Sequence, residues 1–254
     1  MVRGFYAAAS GALSQQKSIN IISNNIANAT TAGYKNQSTV NMAFGEQMIA
    51  RIGADNQGSG AKNIGQGTYM KVLSSDYMDL TQGNMEPTGR SVDLAINGEG
   101  FFLIKDDKNA EMITRNGQFA MDKEGYLVLP GVGFVMNESK GKIQLPSAEF
   151  SVDAQGNITD AKTLKEKLYI AKPKADATFE KVTESVMTSK AGYDQADGKL
   201  TAIAQGAIEK SNVNLAQEMS RIIANQGNFQ SCSQILKIYD RINEITANQI
   251  GRIG

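Results

Sequence analysis

Read for spacing alone, the chain is two long helical patterns enclosing a stretch of short strands. Between residues 4 and 29, positions at alternating steps of three and four are Phe5, Ala8, Ala12, Gln15, Ile19, Ile22, Ile26 and Ala29, nearly all apolar. That repeat keeps one stripe on one side of a helix, as a heptad seam does. The polar run Asn28–Thr31 followed by Gly33 predicts its end, since glycine takes the left-handed backbone that closes a helix. At the other end, Asn214 suits an N-cap with Gln217 three residues on. Leu215, Met219, Ile222, Gln226 and Phe229 then form a narrow stripe. Beyond Gly227 it broadens: Ile235, Ile238, Ile242 and Ile245 make one row, while Cys232, Leu236 and Tyr239 make a neighbouring one. A single antiparallel partner hides one row, so this half of the helix wants at least two neighbours.

The middle obeys another period. Turn pairs recur at Asn97-Gly98, Glu99-Gly100, Asn116-Gly117, Glu124-Gly125, Gln155-Gly156 and Asp197-Gly198. Strand-like runs at 100–104, 112–114, 126–129 and 133–136 separate them. Residues 45–68, and 53–67 above all, are glycine-rich and poorly periodic and predict an extended loop or linker. Residues 162–167 suggest a helical turn. The expected architecture is α+β: N- and C-terminal helices (1–35 and 206–254) forming an antiparallel coiled-coil-like assembly domain, a linker at 36–69, and an inserted mostly-β middle domain at 70–205.

Composition narrows the chemistry. The 254 residues carry 26 basic and 26 acidic side chains, one cysteine and no histidine. Charge balance argues against a nucleic-acid binder. A lone Cys232 excludes an intrachain disulfide framework or a cysteine cluster for metal. Without histidine there is no Ser-His-Asp triad, Cys-His pair or His-ligated metal. No apolar run reaches the ~18 residues a helical membrane span needs. The start turns polar at Ser14-Gln15-Gln16-Lys17, which predicts a chain that is soluble or exported without a cleaved signal.

Candidate catalytic groups have plainer readings. Asp106, Asp107, Asp122, Glu124 and Asp153 adjoin turn glycines, where carboxylates satisfy backbone donors. Nothing in their spacing joins two of them into an acid pair. The pairs Gly65/Gly67 and Gly131/Gly133 lack the further residues of a phosphate loop. Cys232 reads as a small hydrophobe on a helix face.

Four blocks resemble the flagellar hook and basal-body rod protein family. They are Asn24-Asn25-Ile26-Ala27-Asn28-Ala29-Thr30-Thr31-Ala32-Gly33-Tyr34-Lys35; Thr81-Gln82-Gly83-Asn84 with 92–102; Thr114-Arg115-Asn116-Gly117-Gln118-Phe119; and Gln205-Gly206-Ala207-Ile208-Glu209-Lys210-Ser211-Asn212-Val213. One departure is Gln226-Gly227-Asn228-Phe229, where rod proteins of this family often read Gln-Arg-aromatic. The resemblance implies a non-enzymatic building block, without cofactor or metal, exported through the flagellar type III apparatus to the basal body outside the cytoplasmic membrane. There it would form a helical homopolymer joined to other rod and hook proteins, with no nucleic acid and no membrane insertion. The assembly contacts expected are Phe5, Ile19, Ile22 and Ile26 with Leu215, Met219, Ile222, Phe229, Ile235, Ile238, Ile242 and Ile245. Asn24, Asn25 and Asn28 either cross-link helix ends through their amides or simply terminate the helix. The alternative is a stalked β-domain binding module for cell wall or glycan, stacking its ligand on Tyr69, Phe119 or Tyr126.

Overall fold

The computed structural model describes residues 2–44, 47–51, 62–67, 70–106, 108–147, 150–160, 165–174, 178–189, 191–196 and 201–250. The chain is α+β and divides into two compact units. The first comprises Met1–Ile26, Gln37–Tyr77 and Leu215–Gly254; the second, Ala27–Asn36 and Met78–Asn214.

The first unit holds helices α1 (Val2–Ala27) and α2 (Leu215–Ile250). Asn214 occupies the predicted cap position one residue ahead of α2. The first unit also contains strands where the glycine-rich composition predicts a loop. Here β1 (Gln37–Phe44) pairs with β4 (Met70–Met78), and β2 (Gln47–Arg51) pairs antiparallel with β3 (Lys62–Gly67). Backbone hydrogen bonding suffices for such a ribbon without a clean alternation of side chains. The register shifts between Ile49 and Ala50, which breaks the period a sequence reading looks for. Residues 52–61 and 68–69, which include most of the predicted glycine-rich loop and Tyr69, lie outside the described residues.

The second unit is built of β-strands. Its largest sheet runs β16 (Phe179–Lys181), β17 (Val186–Ser189), β8 (Glu111–Thr114), β7 (Phe101–Lys105), β11 (Gly133–Val135), β10 (Leu127–Leu129) and β9 (Ala120–Met121). Strand β15 (Ile170–Pro173) joins β7, and β18 (Tyr193–Gln195) joins β15. A three-stranded sheet contains β12 (Phe150–Val152), β13 (Asn157–Asp160) and β14 (Lys165–Lys167). The helical turn predicted at 162–167 is therefore strand from Lys165 on, and 161–164 lie outside the described residues. Two pairs complete the unit: β6 (Leu94–Gly98) with β19 (Thr201–Gln205), and β5 (Met85–Pro87) with β20 (Ala207–Glu209).

Strand β7 organises the core because it is buried on both faces. Phe102 and Ile104 enter one apolar cluster with Leu94, Ile96, Phe119 and Leu127. Phe101 and Leu103 enter a second with Ile113, Met136, Tyr169 and Met187. Side chains alternating across a strand explain how four consecutive apolar residues serve two layers. The rings of Phe102 and Phe119 meet edge-to-face with centroids 5.1 Å apart. Phe119 is thus core and not the exposed stacking face a glycan site requires.

Candidate assembly interface

The two helices touch within the first unit through a seam of small and polar residues. A Cβ placed on Gly4 would lie 2.0 Å from the Tyr239 hydroxyl, and one on Gly11 would lie 3.3 Å from the Cys232 sulfur. Asn25 donates from Nδ2 to Glu218 Oε2 at 3.4 Å. Seven residues forward along α1, from Gly4 to Gly11, match seven backward along α2, from Tyr239 to Cys232. The fourteen from Gly11 to Asn25 match the fourteen from Cys232 to Glu218. The three contacts therefore share one antiparallel register. Glycine at these positions allows tyrosine and cysteine to approach where a methyl group would collide.

The predicted α1 stripe is covered along its length except at Phe5. Ala8, Ala12 and Ile22 are buried, as are Ser14 and Asn25. Ile19 and Ile26 are half-buried, Asn24 is exposed, and Phe5 is exposed at 38%. The reason is steric. The apolar repeat includes Phe5, but Tyr239 of α2 packs beside Gly4, where there is no side chain, and Phe5 is left outside.

On α2 the buried Glu218 and the partly buried Ile222, Asn225, Phe229, Cys232, Leu236 and Tyr239 follow one another at alternating steps of four and three, with Ser233 and Thr246 partly buried beside that row. The row Cys232, Leu236, Tyr239 therefore points inward. The other row does not. Ile235, Ile238, Ile242 and Ile245 are 44%, 58%, 41% and 48% exposed, and Leu215, Met219 and Ile223 are exposed too. Leu13 and Tyr6 of α1 are likewise open to solvent. No helix among the described residues is long and apolar enough to cross a membrane.

Asn25 ties three segments together. Besides bonding Glu218, its amide donates to the Gln37 carbonyl at 2.7 Å and its Oδ1 accepts from the Gln37 N–H at 3.1 Å. Glu218 is buried and also accepts from Arg221 at 2.8 Å. Asn28 is buried, and its Oδ1 accepts from the Thr31 hydroxyl at 3.1 Å. Asn25 and Asn28 thus act through side-chain oxygen or amide contacts.

In the second unit, three charges far apart in sequence meet in the interior. Glu209, at the end of β20, accepts from Lys35 Nζ at 2.7 Å and from Arg115 at 2.9 Å. Its Oε1 also takes the Gly83 N–H at 2.8 Å. Lys35 donates further to the Thr81 carbonyl, and Arg115 to the Gly98 carbonyl, each at 2.7 Å. All three charged residues are no more than 3% exposed. Burial holds the Lys35 amine below its usual range, against the opposing pull of Glu209. The backbone closes around them. Gly33, at φ +68°, donates to the Glu209 carbonyl at 2.8 Å, and a Cβ there would lie 2.1 Å from the Asn116 nitrogen. Predicted as a helix stop, Gly33 in fact lies past the end of α1 and permits this close approach. The Lys35–Glu209–Arg115 cluster went unnoticed in the sequence. Its only signal is that each member stands in one of the four recognised blocks.

Two of the singled-out carboxylates, Asp153 and Asp122, show turn chemistry, and Asp107 lies outside the described residues. Asp153 accepts from the Gln155 and Asn157 N–H groups at 3.0 and 2.8 Å and from the Asn157 amide at 2.8 Å. Those bonds, the Asn157 side chain first, keep it below the usual carboxylate range. Asp122 accepts from the Lys123 N–H at 2.7 Å. Tyr126 stands edge-on to Phe134 with centroids 5.7 Å apart, and Lys142 lies over both rings.

Comparison with known proteins follows the same segments. A family model described as "Flagella basal body rod protein" matches residues 5–35. "Flagellar hook protein FlgE/F/G D1 domain" matches 95–160, and "Flagellar basal body rod FlgEFG protein C-terminal" matches 204–250. One member of the buried charge cluster falls within each. The flagellar basal-body rod protein FlgG of Bacillus subtilis is 31% identical across 98% of this chain and 99% of its own length. FlgF of Caulobacter vibrioides is 26% identical across 100% of this chain and 99% of its own. The hook protein FlgE of Borreliella burgdorferi is 34% identical over 52% of this chain but only 30% of that longer protein. With full-length similarity to rod proteins and family matches at both ends and in the middle, the chain belongs to the flagellar basal-body rod protein family.

Proposed function

We propose that the chain is a structural subunit that polymerises through its terminal helices into the helical tube of the basal-body rod and carries torque from motor to hook. In that reading α1 and α2 pair as a short antiparallel coiled coil within one subunit. The outward row Ile235, Ile238, Ile242 and Ile245 meets neighbouring copies, and the exposed Phe5, Leu215 and Met219 offer them further apolar surface. Ile19, Ile22, Ile26 and Phe229 stay with the inner seam, which Asn25 braces.

The supporting observation is the exposure of four isoleucines on one face of α2 while its other apolar row is already turned inward. Covering the exposed half of one such side chain contributes roughly 1 kcal/mol. Repeated along the helix and between many copies, the gain is enough to order elements that are marginal alone. A head-to-tail contact that does not close produces a filament. Marginal helices also suit passage through the flagellar type III export apparatus before assembly, and other rod and hook proteins are the natural neighbours at the polymer's ends.

Ile242→Lys tests the interface. The expected outcome is basal bodies that stop growing at this subunit while the purified variant melts like the parent. Complete rods from that variant contradict the assignment. Of the faces the binding-module alternative needs, Phe119 is core and Tyr126 is half-buried with Lys142 over its ring, while Tyr69 lies outside the described residues.

A further inference from the structure

The seam between α1 and α2 has a built-in ambiguity, and one polar pair resolves it. Gly4, Gly11 and Ser18 recur every seven residues along α1, so the small positions that admit Tyr239 and Cys232 repeat. If α1 slid one heptad, Tyr239 would stand over Gly11, which has no side chain to meet it, and Cys232 over Ser18, where one short side chain replaces a glycine. Helix length does not forbid it. α1 has 26 residues and α2 has 36, so residues 4–25 would lie opposite 225–246, still wholly within α2. A slide the other way would push Asn25 past the start of α2, opposite residues that are not helical.

The geometry points to Asn25 and Glu218 as the register lock of the terminal helix pair, a positioning role nothing in their residue types announces. The inference rests on the pairing proposed above. In the observed register the buried Glu218 carboxylate receives the Asn25 amide and the Arg221 guanidinium. Asn25 in turn is held by two bonds to the Gln37 backbone, so its amide cannot follow a sliding helix. In the slipped register Glu218 lies beyond the end of α1 and Asn25 faces Asn225. The carboxylate loses a donor, and the Gln37 peptide must part from Asn25 or be dragged with it. A buried polar pair at one seam position is the known means of choosing between registers that apolar and small residues leave equivalent. The rest of the seam supplies contact, and this pair supplies the choice.

The lone cysteine makes the test direct. In the full chain Gly11→Cys reports the observed register by forming a disulfide with Cys232, because a Cβ at 11 lies 3.3 Å from that sulfur. Ser18→Cys reports the slipped register with the same partner. Each variant is equilibrated in a glutathione buffer, and the intrachain bond is read as a mobility shift. The parent background should favour the 11–232 bond over the 18–232 bond by about tenfold or more, the ratio expected for a buried carboxylate that keeps its donor. Asn25→Leu, and independently Glu218→Leu, should bring the two bonds to comparable yield while circular dichroism shows the helices retained. Persistence of the 11–232 preference in both leucine variants overturns the lock and assigns the register to the rest of the chain. If even the parent shows no preference, the helix pairing itself fails and the lock with it.

Discussion

Glu209 is the side chain on which the second unit's interior balance depends. It pairs with two buried cations, and it receives the Gly83 N–H besides. Removing its charge leaves Lys35 and Arg115 facing each other across an interior that cannot solvate them, which typically costs about 3–5 kcal/mol. Glu209→Gln should therefore lower the denaturation free energy of the second unit by about that amount. Lys35→Met should cost less, since Glu209 keeps Arg115. Urea titrations of the two variants settle the order, and an equal loss would mean the cations contribute independently. A second buried amine gives a pH signature. Lys181 lies 3.8 Å from the Tyr34 ring centroid with no hydrogen-bond partner at its Nζ, and burial lowers it to about 8. Its unfolded value is near 10.4. Between these values the unfolded chain binds more protons, so stability rises with pH from about 8 to 10.4. Lys181→Met should flatten that rise and stabilise the unit at pH 7 by about 1–2 kcal/mol, allowing for partial exposure; melts at pH 7 and 9.5 measure both. Such residues are hard to read from a sequence. A lysine in a polar-looking motif normally implies solvent, and Lys35 gives no hint of partners at 115 and 209.

At the level of elements, spacing revealed more. Both helices, the hairpin turns at Gly125 and Gly156 and the cores of β7, β8, β10 and β11 follow from spacing and turn residues, because burial on one or two faces imposes a period. The two rows on α2 were also legible, and their division into inward and outward matches the broad apolar arc. What period does not convey is the part glycine plays on α1: the apolar repeat includes Phe5, whereas Tyr239 packs beside Gly4 and Phe5 stays exposed. The ribbon from β1 to β4 was missed for the opposite reason: its strands are held by backbone pairing and carry no strong alternation. Gly227 offers a check on α2. The helix runs through it unbroken, and a Cβ there meets nothing within 4 Å. Gly227→Ala should then raise the helix's stability by about 0.5–1 kcal/mol, read as increased helicity in the full chain. A loss of assembly with the helicity gained would show that a neighbouring copy or a bend uses that gap.

For the whole molecule, the β unit carries the dense apolar core, while the helices present apolar rows that one copy leaves open. Stability should be distributed accordingly. Limited proteolysis of dilute protein is expected to trim both helices before any cut falls within 85–209. Full protection of both ends in a monomer would run against that gradient. The most direct measurement is sedimentation velocity of the full chain over a range of concentrations, with Ile238→Lys beside it. The account predicts that the parent grows into large species as concentration rises while the variant stays monomeric; a parent that remains a monodisperse monomer throughout, with both helices protected, contradicts it.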